Sequence, residues 1–72
     1  MDAVIKINCD NAAFEDDPTS EVARILRDIA DRVHGDTGFS PGRDYTLRDA
    51  NGNEVGFCTV YANVALTMGE KD

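Results

Sequence analysis

From Ala3 to Cys9 the sequence AVIKINC alternates, with Ala3, Ile5, Ile7 and Cys9 on one side and Val4, Lys6 and Asn8 on the other. A period of two in a run rich in β-branched residues predicts a half-buried strand, and Asp10-Asn11 supplies the turn chemistry that ends it. After Pro18 the period changes. Val22, Ile25, Leu26, Ile29, Ala30 and Val33 recur at spacings of three and four, drawing one apolar stripe along an amphipathic helix of about four turns. Asp17 is placed to cap its first turn with Pro18 at the first helical position, and Thr19 is the alternative cap. His34 in the last turn and Gly35 as a left-handed cap close it. Phe14 is expected to turn inward and seal the helix against the sheet.

The segment Asp36 to Arg43, DTGFSPGR, reads as a loop, and Tyr45 to Val60 as a hairpin. A two-residue turn at Asn51-Gly52 sets Leu47 opposite Gly56 and Tyr45 opposite Cys58. A three-residue loop, Ala50-Asn51-Gly52, instead pairs Asp49 with Asn53, Arg48 with Glu54, Leu47 with Val55 and Tyr45 with Phe57. The second register gathers the large apolar groups on one face and an ion pair on the other, so a type I turn with a Gly bulge is predicted. Beyond it the apolar phase switches from Val55 and Phe57 to Cys58, Val60, Ala62, Val64 and Leu66. That switch implies a bulge near Cys58 and Thr59, or apolar cover on both faces, in a strand continuing to about Leu66. Residues 67–72 are expected to form a flexible tail.

The order strand, helix, strand, strand predicts an α+β fold. Its three-stranded antiparallel sheet has the long third strand in the middle and the helix packed on one face. Seventy-two residues make one small domain, 1–72, at a size where stability is marginal and oligomerisation a common remedy.

Charge sharpens the picture. Fourteen Asp and Glu against seven Lys and Arg give a net charge of -7, and a chain this acidic is repelled by nucleic-acid phosphates. Direct nucleic-acid binding is therefore not expected, and a basic protein partner is. The charge is also uneven: the helix body balances its three acids, Glu21, Asp28 and Asp31, with Arg24, Arg27 and Arg32, whereas Asp10, Glu15, Asp16 and Asp17 stand together in CDNAAFEDDPTSE with no Lys or Arg. Capping and the helix dipole account for one or two carboxylates there. The surplus beyond that makes Asp10, Glu15, Asp16 and Asp17, with Asp36, Asp49 and Glu54, the candidate partner-binding residues. On the helix, Asp28 and Arg32 make a well-oriented i, i+4 pair and a salt-bridged solvated face is expected, with Arg24 and Arg27 as alternative anchors for a partner.

Chemistry finds less support. The acidic run lacks the alternating spacing of a calcium loop, and DANGNE, with Asp49, Asn51 and Asn53, has its Gly too early and Val60 where the closing Glu belongs. His34 is the only histidine, Ser20 and Ser40 have no identifiable base, and no phosphate-cradling Gly-rich loop occurs. Cys9 and Cys58 are too few for a disulfide framework and lack zinc spacing, so both are expected as free, buried thiols. No enzyme, metal or cofactor is expected. With no signal-peptide pattern and no apolar run of roughly 18 residues, the expectation is a soluble, cytoplasmic protein.

The segments DNAAFEDD and VARILRDIADRV, followed by RDANGNEVG, resemble the short acidic proteins encoded by bacteriophages and mobile elements, among them anti-CRISPR proteins. The likeness runs from about Ile5 to Gly56 and is one of general appearance, without a binding motif that transfers residue by residue. It implies a non-enzymatic inhibitor in the host cell cytoplasm, occupying the basic nucleic-acid-binding surface of a CRISPR effector complex and blocking target DNA. The alternative is a self-associating accessory module, a homodimer paired through its third strand.

Overall fold

The structure, a computed structural model, describes residues 1–62. The elements are β1 (Asp2–Ile7), a short 3-10 turn (Ala12–Phe14), α1 (Pro18–His34), β2 (Asp44–Arg48) and β3 (Glu54–Tyr61). The three strands form one sheet in the order β1-β3-β2, with β3 antiparallel to both neighbours. The α+β class and the central third strand are thus as expected. The strand continuation to Leu66 and the tail 67–72 lie outside the described residues. No helix among those residues is long and apolar enough to cross a membrane.

Register fixes the two faces. Ile7 stands opposite Gly56, Ile5 opposite Cys58 and Ala3 opposite Val60, while Tyr45 also faces Cys58 and Leu47 faces Gly56. Paired residues share a face, so these side chains point to the helix side and Val4, Lys6, Thr46, Phe57 and Thr59 to the open side. Phe14, Ile25, Ile29, Leu47, Val55 and Cys58 make the buried core, with Ile7, Ala13, Val22, Val33 and Tyr45 packed around it.

The hairpin combines the two registers weighed from the sequence. Near the turn, Arg48 stands opposite Glu54 in register and the Asp49 N–H donates to the Asn53 carbonyl at 2.9 Å, as the three-residue loop requires, with Gly52 at φ 87°. The expected Arg48–Glu54 ion pair does not form, because Arg48 turns to the Gly52 carbonyl. The register then slips at Val55, and Leu47 meets Gly56 rather than Val55. The bulge thus falls at Val55, three residues before the expected Cys58-Thr59 position, and leaves Phe57 42% exposed on the open face. Its physical reason is Gly56. A Cβ there would lie 1.9 Å from the Lys6 carbonyl oxygen and 3.1 Å from the Ile7 Cα, so β1 approaches β3 where only glycine permits it.

The helix begins as predicted. Asp17 caps it, accepting from the Ser20 N–H at 3.1 Å and the Ser20 hydroxyl at 2.7 Å, with Pro18 in the first turn. Its end differs, because Gly35 has φ -87° and closes the last turn through an N–H bond to the Asp31 carbonyl without entering left-handed space. The left-handed glycine nearby is Gly42, φ 98°. Only part of the apolar stripe is covered: Ile25 and Ile29 are buried, whereas Leu26 is 42% exposed, as is Ile5 at 45% across from it. Cys58 is buried, but Cys9, expected inside, is exposed because β1 stops at Ile7 and the chain turns away.

Candidate binding surface

One end of the molecule is made by the hairpin tip, the turn after β1 and the first turn of α1. Three polar side chains draw them together. Asn11 donates through Nδ2 to Asp49 Oδ2 at 3.0 Å, joining the turn after β1 to the hairpin. Asp49 Oδ1 also accepts the N–H groups of Asn51 and Asn53, both at 2.9 Å. Glu21, buried beneath the first helical turn, accepts the Ala50 N–H at 2.7 Å and a two-point contact from Arg24, 3.2 Å from Nε and 3.0 Å from Nη2.

These bonds sort the seven carboxylates singled out from the sequence. Asp17 is committed to its cap. Asp49 is 4% exposed and holds the hairpin tip from inside. Asp36 lies beyond the far end of the 17-residue helix, about 25 Å away along its axis. There it accepts from Arg43 Nε at 2.7 Å, the Tyr45 hydroxyl at 2.6 Å and the Gly38 N–H at 2.8 Å. The Arg43 guanidinium, then Tyr45 and Gly38, hold the Asp36 carboxyl down to about 2. Asp49 is lowered by Asn11 first and by the Asn53 and Asn51 bonds after it, Glu21 by Arg24 and then by Ala50, and Asp17 by Ser20. All four are anions with structural partners.

Glu21 was not among the seven, and the four of them that remain are different. Asp10, Glu15, Asp16 and Glu54 are exposed, and among the described residues none makes a salt bridge or a side-chain hydrogen bond. All four belong to the same end. Asp10 donates its N–H to Asn8 Oδ1 at 2.9 Å, and Asn8 borders a shallow groove of about 450 Å3 together with Asn11, Glu54, Lys6 and Phe57. Glu15 and Asp16 run from the 3-10 turn into the helix cap. Lys6 and Arg48 stand on the hairpin side of this end, and the Arg48 Nη1 is turned to the Gly52 carbonyl at 3.2 Å.

Two of the three helix arginines, Arg24 and Arg32, are structural, while Arg27 is exposed and its side chain makes no hydrogen bond or salt bridge among the described residues. Asp28 and Arg32 pair at 3.4 Å as expected, but Arg24 turns back to Glu21 rather than to Asp28. Its Nη2 also reaches the Arg48 carbonyl at 3.2 Å, and Arg32 donates to the Thr46 carbonyl at 2.9 and 2.6 Å. The sequence did hold a signal for this. Arg24, Asp28 and Arg32 recur every four residues, one position before the buried Ile25 and Ile29, so they flank the core on the β2 side. Glu21, four before Ile25, falls on the buried stripe itself. Arg32 and Arg43 also lie over the Tyr45 ring, 5.9 and 5.7 Å from its centre.

No three His, Cys, Asp or Glu side chains among the described residues converge on a point where a metal ion would sit. What this end offers is an exposed anionic surface on a braced frame, suited to electrostatic recognition. Comparison with protein-family models, with curated proteins and with solved structures finds no match to this chain.

Proposed function

We propose that the protein is a non-enzymatic inhibitor that docks this acidic end on a basic, nucleic-acid-binding surface of a protein partner and keeps nucleic acid off it. A host CRISPR effector complex is the partner class to which the resemblance in sequence points. The observation that carries the reading is the division among the carboxylates: Asp17, Glu21, Asp36 and Asp49 each hold the fold, whereas Asp10, Glu15, Asp16 and Glu54 stand exposed at one end and, among the described residues, make no salt bridge, with Lys6 and Arg48 the cations nearby. Folding does not need that surplus. A positive groove focuses such charge, speeding association and selecting against acidic partners.

The test is target-DNA binding by purified CRISPR effector complexes titrated with the protein. Inhibition by the wild type, with loss of at least tenfold in potency for Glu15→Lys combined with Asp16→Lys, is the expected result. Binding should also weaken steeply between low and high salt. Full inhibition by the double variant, or an affinity indifferent to salt, overturns the electrostatic reading.

A further inference from the structure

The two outer edges of the sheet are finished differently. On β2 the outward carbonyls of Thr46 and Arg48 are taken by Arg32 and Arg24 of the helix. On β1 the Asn8 N–H bonds to the Val55 carbonyl at 2.7 Å, and Lys6, Val4 and Asp2 stand opposite Phe57, Thr59 and Tyr61 in the same register. The even-numbered residues therefore turn their backbone groups towards β3. Antiparallel alternation leaves the N–H and C=O groups of Ala3 and Ile5 pointing outward, and no described residue bonds to them. Beside this bare edge, on the helix side, lies an apolar groove of about 470 Å3 bordered by Ala3, Ile5, Leu26, Ala30, Val33 and Phe39.

We propose that the bare edge and its groove are the interface of a homodimer, in which β1 pairs antiparallel with β1 of a second copy about a two-fold axis at Val4. The sequence DAVIKI is self-complementary in that register. Asp2 meets Lys6 of the second copy, Lys6 meets Asp2, Ala3 meets Ile5, and the two Val4 side chains face each other. The outward groups of Ala3 and Ile5 then exchange four backbone hydrogen bonds, while the charged pairs occupy the non-bonded positions where side chains come closest.

Neighbouring registers do worse. Centring on Ile5 sets Lys6 against Val4 and Asp2 against Asn8, and centring on Ala3 leaves Lys6 with no strand residue opposite. A one-residue slip sends Ile5 to the wrong face. A lysine on an edge strand ordinarily blocks strand addition. Here the Val4-centred register supplies it with Asp2.

The same arrangement joins the grooves of the two copies, so that Ile5 and Leu26, 45% and 42% exposed in one chain, meet apolar surface. It also suits the charge. Because the strands run in opposite directions, the acidic end of one copy lies beside the Met1 end of the other, and the two acidic ends are kept at opposite corners. This interface uses neither Asp10, Glu15, Asp16 nor Glu54, so it stands or falls separately from the inhibitor reading.

Light scattering on the full chain over a wide concentration range, with no partner present, provides the test. The wild type is expected to form a dimer. Lys6→Asp sets acid against Asp2 at two symmetry-related places and should raise the dissociation constant about tenfold or more. Adding Asp2→Lys to it should restore the dimer, because the pairs are merely exchanged. In a Cys9→Ser background, Val4→Cys should give a disulfide-linked dimer under mild oxidation, whereas Lys6→Cys should not, since opposed non-bonded positions are within disulfide reach. A wild type that stays monomeric throughout overturns the proposal. So does a dimer indifferent to Lys6→Asp that forms no Val4→Cys cross-link, which would place the contact on another surface.

Discussion

Glu21 and Ala50, 29 positions apart, are joined by a hydrogen bond of 2.7 Å from the Ala50 N–H to the Glu21 carboxylate. This contact fastens the first turn of α1 to the tip of the hairpin, and Arg24 balances the charge from the other side. Removing the carboxylate takes away the Ala50 N–H bond and the two-point Arg24 contact together, and with them the tie between helix and hairpin. Glu21→Ala is therefore expected to lower the melting temperature clearly, while Glu15→Ala on the exposed surface leaves it within about 2 °C. Thermal unfolding followed by circular dichroism compares the two.

Gly56 sets a second expectation. With the Lys6 carbonyl oxygen 1.9 Å from where a Cβ would sit, Gly56→Ala must push β1 away from β3 or undo the bulge. A loss of about 3 kcal/mol or more is expected, at the severe end for a single substitution, and urea unfolding measures it. A variant within about 1 kcal/mol of wild type would show that the backbone relaxes there at little cost.

The lowered carboxylates give the stability a definite dependence on pH. Asp17, Glu21, Asp36 and Asp49 all titrate lower in the folded chain than at their ordinary values of 3.8 for Asp and 4.5 for Glu. The unfolded chain thus takes up protons first as pH falls. Their stabilisation is fully present above the ordinary values and is lost on acidification through the lowered ones, Asp36 going last at about 2. Urea midpoints should be flat from about pH 7 to 5 and drop from about 4 to 2. Asp36→Asn should be less stable at neutral pH and lose less on acidification.

The two thiols should separate cleanly. Cys9 is exposed, while Cys58 is 2% exposed and burial pushes its thiol up. A thiol reagent at neutral pH should modify one cysteine rapidly in the native protein and the second only on unfolding. Cys9→Ser should abolish the rapid phase.

Most of the frame was legible because it rests on period and on punctuation. The alternation of Ala3 to Ile7, the three-and-four spacing from Val22 to Val33 and the Asp17-Pro18 start all concern neighbours in sequence, and the strand, the helix and its cap form there, although β1 is largely exposed instead of half-buried and only Ile25 and Ile29 of the stripe are fully covered. The bulge was misplaced because it answers to a contact across strands. Val55 and Phe57 read as one apolar phase, and only the approach of Lys6 to Gly56 shows why Val55 turns in and Phe57 out. The candidate surface was half legible for a similar reason. Composition shows that Asp36 and Asp49 are acidic, but their commitments to Arg43 and Asn11 span 7 and 38 residues. By contrast Asp10, Glu15 and Asp16 stand in one run, and their exposure follows the local turn and cap.

The arginines over β2 also bear on how far the sheet can grow. With the outward carbonyls of Thr46 and Arg48 already engaged by Arg32 and Arg24, a strand added beside β2 has to displace both guanidinium groups, whereas among the described residues no side chain stands on the outward groups of Ala3 and Ile5. In the proposed dimer each copy spends its β1 margin on the other, and the pair closes instead of propagating. The guanidinium groups that pin the helix would then serve that dimer as a stop against endless fibres, a second duty beside holding α1 to β2.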